Sequence, residues 1–255
     1  MKHIVSFSGG KDSTAMLLMM LENNMPIDYI LFCDTGKEFD ELYDHVNKVE
    51  KYIGMPITRL KAEKSFEYYL YEYQCTKSKY GKKKGLGWSS MKSRWCTKYL
   101  KNEVVGRFIK DINDEVTQYI GIAFDEPKRI KTDKDKRYPL YEWHITEAQA
   151  LDYCKSKGFD FGGLYEHFNR LGCWCCPLQN LKDLYSLYKF YPNKWQELLQ
   201  MEEALYVNAK WDDPSKMMPF NFRNKVSELD ERFRAGCIYA KDYKRLVNTE
   251  NTKKA

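Results

Sequence analysis

The sequence predicts an α/β protein, an open and mainly parallel sheet with helices on both faces, followed by a helical subdomain. Three observations predict it. Short apolar runs alternate with helix-spaced apolar patterns through the first half. A glycine-rich turn separates the first strand from the first helix, and beyond Pro139 the periodicity becomes helical.

Ile4 to Phe7 reads as the first strand, and Asp12 or Ser13 as the cap of a helix carrying Ala15, Leu17, Leu18 and Leu21. Ile27 to Cys33 is the second strand, ended by Asp34-Thr35-Gly36. A helix from about Glu38 to Ile53, a strand at Ile57 to Leu60 and another at Val116 to Ile122 follow. Such a βαβαβ rhythm requires parallel strands, which only long crossovers can join. Cys75 to Ser93 is rich in Lys, Gly and Ser and predicts a loop; Asp125 to Tyr138 predicts a second, charged loop. Helices are expected at Thr146 to Lys157, Leu181 to Tyr191 and Trp195 to Asn208. The expected organisation is a nucleotide-binding domain over residues 1–140, a helical subdomain over 141–240 and a disordered tail over 241–255.

The 255 residues are 43% apolar and 31% charged, and no run approaches the roughly 20 apolar residues of a spanning helix. Met1-Lys2-His3 leads straight into the first strand without a signal peptide, so a cytoplasmic protein with no membrane partner is expected. The net charge of +6 is concentrated in Lys77 to Lys84, Lys128 to Arg137 and Lys253-Lys254. Such runs suit nucleotides or nucleic acid, with a solvated loop surface as the alternative. Of the eight cysteines, Cys33, Cys75, Cys96, Cys154 and Cys237 are scattered, and Cys173, Cys175 and Cys176 form a knot. In a cytosolic chain a knot of this kind is a metal or redox centre more often than a disulfide framework. Cys33, Cys154 and Cys237 read as core residues, and His3, His45, His144 and His167 as structural or exposed.

Ser6-Phe7-Ser8-Gly9-Gly10-Lys11-Asp12-Ser13 carries the clearest chemistry. Glycines let backbone N–H groups turn around an anion, and the following helix N-terminus adds partial positive charge. Lys11 supplies a full charge, Asp12 a carboxylate for Mg²⁺, and Ser8 and Ser13 hydroxyl donors. The Walker pattern needs glycine where this chain has Val5, so a different phosphate geometry is implied.

Ser8-Gly9-Gly10-Lys11-Asp12-Ser13 after a first strand resembles the pyrophosphate loop of the N-type ATP pyrophosphatases, and within them the phosphoadenosine-phosphosulfate reductase-like branch. Phe32-Cys33-Asp34-Thr35-Gly36-Lys37-Glu38-Phe39 resembles that branch's Asp-Thr-Gly-x-x-Phe element, and Gly121 to Arg129 its Gly-x-Arg-Ala-Asp-Glu-Ser-x-Arg element. The resemblance implies an adenine nucleotide alpha hydrolase-like fold. It also implies that Ser6, Ser8, Gly9, Gly10, Lys11, Asp12, Ser13, Asp34, Thr35 and Gly36 hold the nucleotide, with Lys11, Asp12 and Arg129 in catalytic roles. Lys128 joins Arg129 as a candidate contact to phosphate or an anionic substrate. Ala123 stands where the family usually has Arg and Pro127 where it has Ser, which weighs against recognition of a sulfonucleotide. Members that only reduce a sulfonucleotide often lose the loop's lysine and aspartate; this chain keeps both and has no Glu-Cys-Gly-like C-terminal motif, Cys237 lying in Ala235-Gly236-Cys237-Ile238.

Leu171-Gly172-Cys173-Trp174-Cys175-Cys176-Pro177 places a Cys-x-x-Cys on a tight turn, where two thiolates meet one metal. The resemblance adds Cys96, in Arg94-Trp95-Cys96-Thr97-Lys98, as a third ligand. Three ligands leave one iron of a [4Fe–4S] cluster open; Cys175 as a fourth would favour closed zinc, and a redox dithiol is the other alternative. The expected function is adenylation of a substrate with release of pyrophosphate, in sulfur transfer, with ATP, Mg²⁺ and the cluster as cofactors. The expected partners are an adenine nucleotide, a nucleic-acid acceptor and a second copy of the chain. Three alternatives stay open: a sulfonucleotide reductase, a sulfate-adenylating subunit, or a non-catalytic binding module with structural zinc.

Overall fold

Four short runs carrying β-branched and aromatic residues, and one Lys-Arg pair, set the frame of the computed structural model, which describes residues 1–76 and 81–246. They are β1 (Lys2–Ser6), β2 (Tyr29–Asp34), β3 (Ile57–Lys61), β4 (Val116–Ile120) and β5 (Lys136–Arg137). All pair in parallel, in the order β3-β2-β1-β4-β5. The order reverses beside β1, with Ser6 in register with Leu31 on one side and Ile120 on the other. Open α/β sheets bind ligands beyond the carboxyl ends of their strands at such a reversal.

The helices bury the sheet according to their patterning. Helix α1 (Lys11–Glu22) hides nearly every side chain from Lys11 to Met20, as a helix at the centre of the layer must. Helix α2 (Asp40–Ile53) buries the stripe Leu42, His45, Val46 and Val49 and ends at Gly54, whose φ of +64° suits glycine. Helix α3 (Glu103–Ile112) follows a π-turn at Lys98–Asn102. Helix α4 (Glu147–Ser156) opens on a capping box between Thr146 and Gln149 and packs on α1. Val5, Phe7, Met16, Leu17, Phe32, Val49, Tyr119, Phe159 and Phe161 form the core between these layers.

The described chain divides into two units. The sheet unit takes 1–63, 97–166 and 170–173; the second takes 64–96, 167–169 and 174–246. This division is discontinuous, unlike the contiguous one expected at residue 140, because the chain leaves the sheet after β3 and returns before α3. The second unit holds helices α5 (Leu181–Phe190), α6 (Pro192–Asn208) and α7 (Val226–Arg234). Leu184, Leu187, Trp195, Leu198, Leu229 and Phe233 are among its buried apolar side chains. Glu202, 4% exposed, accepts hydrogen bonds from Val226 N at 2.7 Å and Ser227 N at 3.0 Å and so satisfies the free donors that start α7.

Four expectations are corrected. Gly10, not Asp12 or Ser13, is the N-cap of α1, since Lys11 is already helical. The expected loop at 75–93 contributes short strands: Gln74–Cys75 and Lys210–Trp211 both pair antiparallel with Lys83–Lys84. The charged loop at 125–138 contains the edge strand β5. The expected tail begins instead with helix over 240–246, where Asp242 N and Tyr243 N donate to the Tyr239 carbonyl. Residues 77–80 of the first basic run and 247–255 of the tail lie outside the described residues.

Candidate active site

The turn from β1 into α1 is shaped by two glycines. Gly9 has φ +77°, open to glycine at little cost, and a Cβ there would press on Leu42 Cδ1 at 3.1 Å and Val46 Cγ2 at 3.2 Å. Gly10 then turns the chain into the helix. Ser8 N donates to Ser13 Oγ at 3.1 Å, the two hydroxyls are 3.0 Å apart, and Ser13 Oγ donates to Gly10 O at 3.0 Å. The loop is therefore fixed by its own side chains. Lys11 N, one of the helix's orphan donors, bonds to Tyr165 Oη at 2.8 Å. Cys154 Sγ, fully buried, lies 3.4 Å from Lys11 O, and burial pushes this thiol up to about 12. Ser6 is less free than expected, its hydroxyl accepting from Gln118 Nε2 at 2.8 Å.

Lys11 is 8% exposed, and its ammonium lies 3.0 Å from Asp12 and 3.3 Å from Glu147. Among the described residues, carboxylate oxygens of Asp12, Glu126 and Glu147 come within 4.8 Å of one another. Burial raises the Asp12 carboxyl above its ordinary range, opposed by the Lys11 charge. A set of oxygen donors of this kind fits a hard divalent cation such as Mg²⁺.

Gly121, where β4 ends, is required by close approach. A Cβ there would stand 2.9 Å from both Ser13 N and Ser13 Cα. Beyond it, Asp125 Oδ1 accepts from Glu147 N at 3.0 Å, tying the segment to the start of α4. Arg129 sits on a single 3₁₀ turn (Pro127–Arg129), ion-paired with Glu126 and 47% exposed in its side chain.

The loop after β2 builds a carboxylate cradle. Asp34 Oδ1 accepts from Gly36 N at 2.8 Å and Tyr43 Oη at 2.6 Å. Burial alone would raise this carboxyl, but these bonds and Lys61 hold it below the ordinary range. Glu38, 5% exposed, accepts from Thr35 Oγ1 at 2.8 Å, Thr35 N and Lys37 N at 3.2 Å, and Tyr43 Oη at 3.3 Å. Gly36 has φ +73°.

Cys173 belongs to this unit, and its Sγ lies 3.3 Å from Thr35 Oγ1 and donates to Glu38 Oε1 at 3.8 Å. Cys96 falls in the three-residue helix Trp95–Thr97, and Cys176 on a turn closed by Gln179 N donating to Cys176 O at 3.2 Å; both lie in the second unit. Cys96, Cys173 and Cys176 are half-buried and Cys175 fully buried. Thiolate sulfur suits iron–sulfur or zinc by donor chemistry. Of the cysteines expected in the core, Cys154 is there, whereas Cys33 and Cys237 are half-buried.

Sequence reasoning passed over Glu38, Tyr43, Tyr165, Glu126, Glu147 and Gly121. Glu38, Glu126 and Gly121 stand inside the quoted motifs, but nothing in their spacing shows that they face Thr35, Asp12 or Ser13. Tyr165 is 154 positions from Lys11 and carries no local signal.

A parallel sheet reversing beside a glycine loop, with lysine and carboxylates at the strand ends, defines a nucleotide-binding α/β protein. Residues 2–179 match the phosphoadenosine phosphosulfate reductase domain, and the chain belongs to that family. It is 27% identical over 208 residues to uncharacterized protein MJ0066 of Methanocaldococcus jannaschii, covering 76% of this chain and 40% of that protein. With the uncharacterized nin region protein ORF290 of Escherichia phage lambda the identity is 28% over 178 residues, 63% of this chain and 61% of that one. The chain thus spans about half the length or less of the first archaeal relatives it matches. Among solved structures it is similar to a phosphoadenylyl-sulfate reductase from Candida auris in complex with phosphate, at 19% identity and TM-score 0.48, over 67% of this chain and 81% of that one. FMN adenylyltransferase of Candida glabrata with FAD and inorganic pyrophosphate gives 18% identity and TM-score 0.44, over 68% and 55%. No helix among the described residues is long and apolar enough to cross a membrane.

Proposed function

We propose that the chain is a cytoplasmic enzyme that adenylates a substrate at the expense of ATP, releases pyrophosphate, and acts in sulfur transfer to a nucleic-acid acceptor. One observation carries the reading: Lys11 and Asp12 are both present, the lysine buried and the aspartate half-buried, and gathered with Glu126 and Glu147 at the loop. An enzyme that never cleaved ATP would need neither the buried ammonium nor the carboxylate trio.

In this reading the β- and γ-phosphates lie in the loop from Ser8 to Ser13. An acceptor oxygen attacks the α-phosphorus, the α–β bridge bond breaks, and the electron pair leaves with pyrophosphate. Lys11 and the loop N–H groups stabilise charge growing on that leaving group, which is where positioned electrostatics lower a barrier most. Asp12, Glu126 and Glu147 would hold Mg²⁺, which when bound neutralises phosphate charge. Asp34, Thr35 and Gly36 flank the nucleotide at the end of β2, and Arg129 meets the phosphates from the β4 side. A hydrosulfide-class donor then displaces AMP from the adenylated acceptor, forming the C–S bond as the C–O bond breaks.

Cys96, Cys173 and Cys176 would hold a [4Fe–4S] cluster, with zinc and Cys175 as the alternative set; such a cluster, when bound, supplies an iron site open to sulfur. Thr35 Oγ1, which donates to Glu38, lies 3.3 Å from Cys173 Sγ and supports this by setting a polar neighbour against one ligand sulfur. The family match supports a second reading, sulfonucleotide reduction, in which a thiol reductant is oxidised and sulfite released. Anaerobic purification with iron, zinc and labile-sulfide analysis of wild type and Cys173→Ala, beside a pyrophosphate assay, separates them. Iron and sulfide lost in the variant, with pyrophosphate formed from ATP, supports sulfur transfer. Sulfite release without ATP cleavage supports reduction.

A further inference from the structure

Tyr165 belongs to none of the sequence motifs, yet its hydroxyl rests on the phosphate loop. Its Oη takes the Lys11 N–H at 2.8 Å and stands 3.4 Å from where a Cβ on Gly10 would lie. The placement is enforced within the sheet unit. Phe161, 1% exposed, holds φ +58°, a conformation rarely taken by a bulky residue, and Gly162 and Gly163 follow at +61° and +75°. The Phe161 ring then braces the Tyr165 ring, centroids 4.9 Å apart and planes at 90°. Backbone strain of this kind clusters at sites where a side chain must be held for use.

The hydroxyl has a hydrogen bond left to give. It accepts from Lys11 N, and its own proton has no acceptor among the described residues. Burial raises its pKa above the ordinary tyrosine range, so the proton stays on the oxygen. An O–H that already accepts from an N–H is polarised into a better donor. The loop has use for one. The Lys11 ammonium is shared between Asp12 and Glu147, at 3.0 and 3.3 Å, and cannot by itself balance a chain of phosphates. A neutral O–H adds an electropositive contact without burying another charge. A hydroxyl that plugged the loop and swung aside would need a free ring, whereas this ring packs on Phe161 and the apolar core of the sheet.

We infer that Tyr165 is a ligand of the nucleotide's phosphates: its oxygen stays on Lys11 N while its O–H donates to an oxygen of the pyrophosphate half. The bond persists as that half leaves, and no proton is transferred. The role deepens the proposed ATP reading and rests on it.

The test is calorimetric titration of the full chain, in Mg²⁺, with inorganic pyrophosphate, with an ATP analogue carrying methylene at the α–β bridge, and with AMP. Tyr165→Phe should weaken pyrophosphate and the analogue about 10–100-fold, the worth of a hydrogen bond to a charged group, and leave AMP unchanged. Replacing Tyr165 by 3-fluorotyrosine separates donating from loop-holding. Fluorine makes the O–H a stronger donor and the oxygen a weaker acceptor, so pyrophosphate should bind more tightly. Circular dichroism confirms that both variants are folded. Pyrophosphate binding that is unchanged or tighter in Tyr165→Phe overturns the role, the hydroxyl then being idle or a plug. Weaker binding in the 3-fluorotyrosine protein also overturns it, because the hydroxyl would then only hold Lys11 N. Wild type that binds none of the three ligands sinks the ATP reading itself, and this role with it.

Discussion

The strand-end loops of the sheet unit and the cysteine turn of the second unit are stabilised in opposite ways. In the sheet unit each of these ties has a charged member: Lys11 with Asp12 and Glu147, Asp34 with Tyr43 and Lys61, Glu38 with the Thr35 hydroxyl and two backbone N–H groups. The turn at Cys176 and Pro177 is held by neutral amides. Asn221 Nδ2 donates to Pro177 O at 3.0 Å and Gln179 O at 3.1 Å, and Gln179 Nε2 to Trp174 O at 3.0 Å. The difference teaches where each site's charge comes from. A phosphate site must be preorganised against a highly charged ligand, so its own ions are tied down in advance. A turn that presents thiolates needs only its backbone fixed, because a metal sets the charge of the sulfur it binds.

The largest expected effects lie on the ionic side of that comparison. Lys11→Ala should lower pyrophosphate release about 10²–10³-fold, the usual loss when one transition-state donor is removed. On the thiolate side, Cys173→Ala should abolish bound iron, while Thr35→Val, which removes the neighbouring hydroxyl and with it a donor to Glu38, should weaken metal retention about 10–100-fold, measured by chelator competition. Equal losses in both variants would erase the distinction between ligand and support.

Stability effects come next. His45 Nε2 is 3.0 Å from Thr14 Oγ1 beneath Phe159 and Phe161, and burial lowers its pKa from 6.5 to about 4. The folded state binds this proton less readily than the unfolded chain, so stability is full above 6.5 and falls as pH drops toward 4. The loss should reach about 3 kcal/mol in urea titrations at stepped pH, and His45→Gln should flatten the profile. Gly121→Ala should cost about 1–3 kcal/mol by forcing β4 away from Ser13. Tyr165→Phe, which leaves Lys11 N without its acceptor, should cost about 1 kcal/mol and move thermal unfolding least.

The sheet unit was the more legible because its signals are local. The strands through Ile120 and helices α1 and α2 follow from apolar period, and Ser8 to Ser13 from glycine, lysine and hydroxyl within six residues. Helices α3 and α7 went unread. A π-turn leads into α3, and α7 depends on Glu202, two dozen positions away, to satisfy its first N–H groups. The carboxylate trio shows the same limit. Asp12 was named for its place in the loop, but Glu126 and Glu147 reach it only through the path of the chain between β4 and α4. The short strands at Gln74–Cys75 and Lys83–Lys84 are two residues each, too brief for any alternation to register.

The most direct measurement is the fate of ATP labelled at the α-phosphate, incubated anaerobically with the purified chain, Mg²⁺ and a nucleic-acid acceptor, and resolved by anion exchange. The account predicts label in AMP or in adenylated acceptor, with pyrophosphate as the other product, and loss of both in Lys11→Ala. Label appearing in ADP, or an unchanged product pattern in Lys11→Ala, would contradict it.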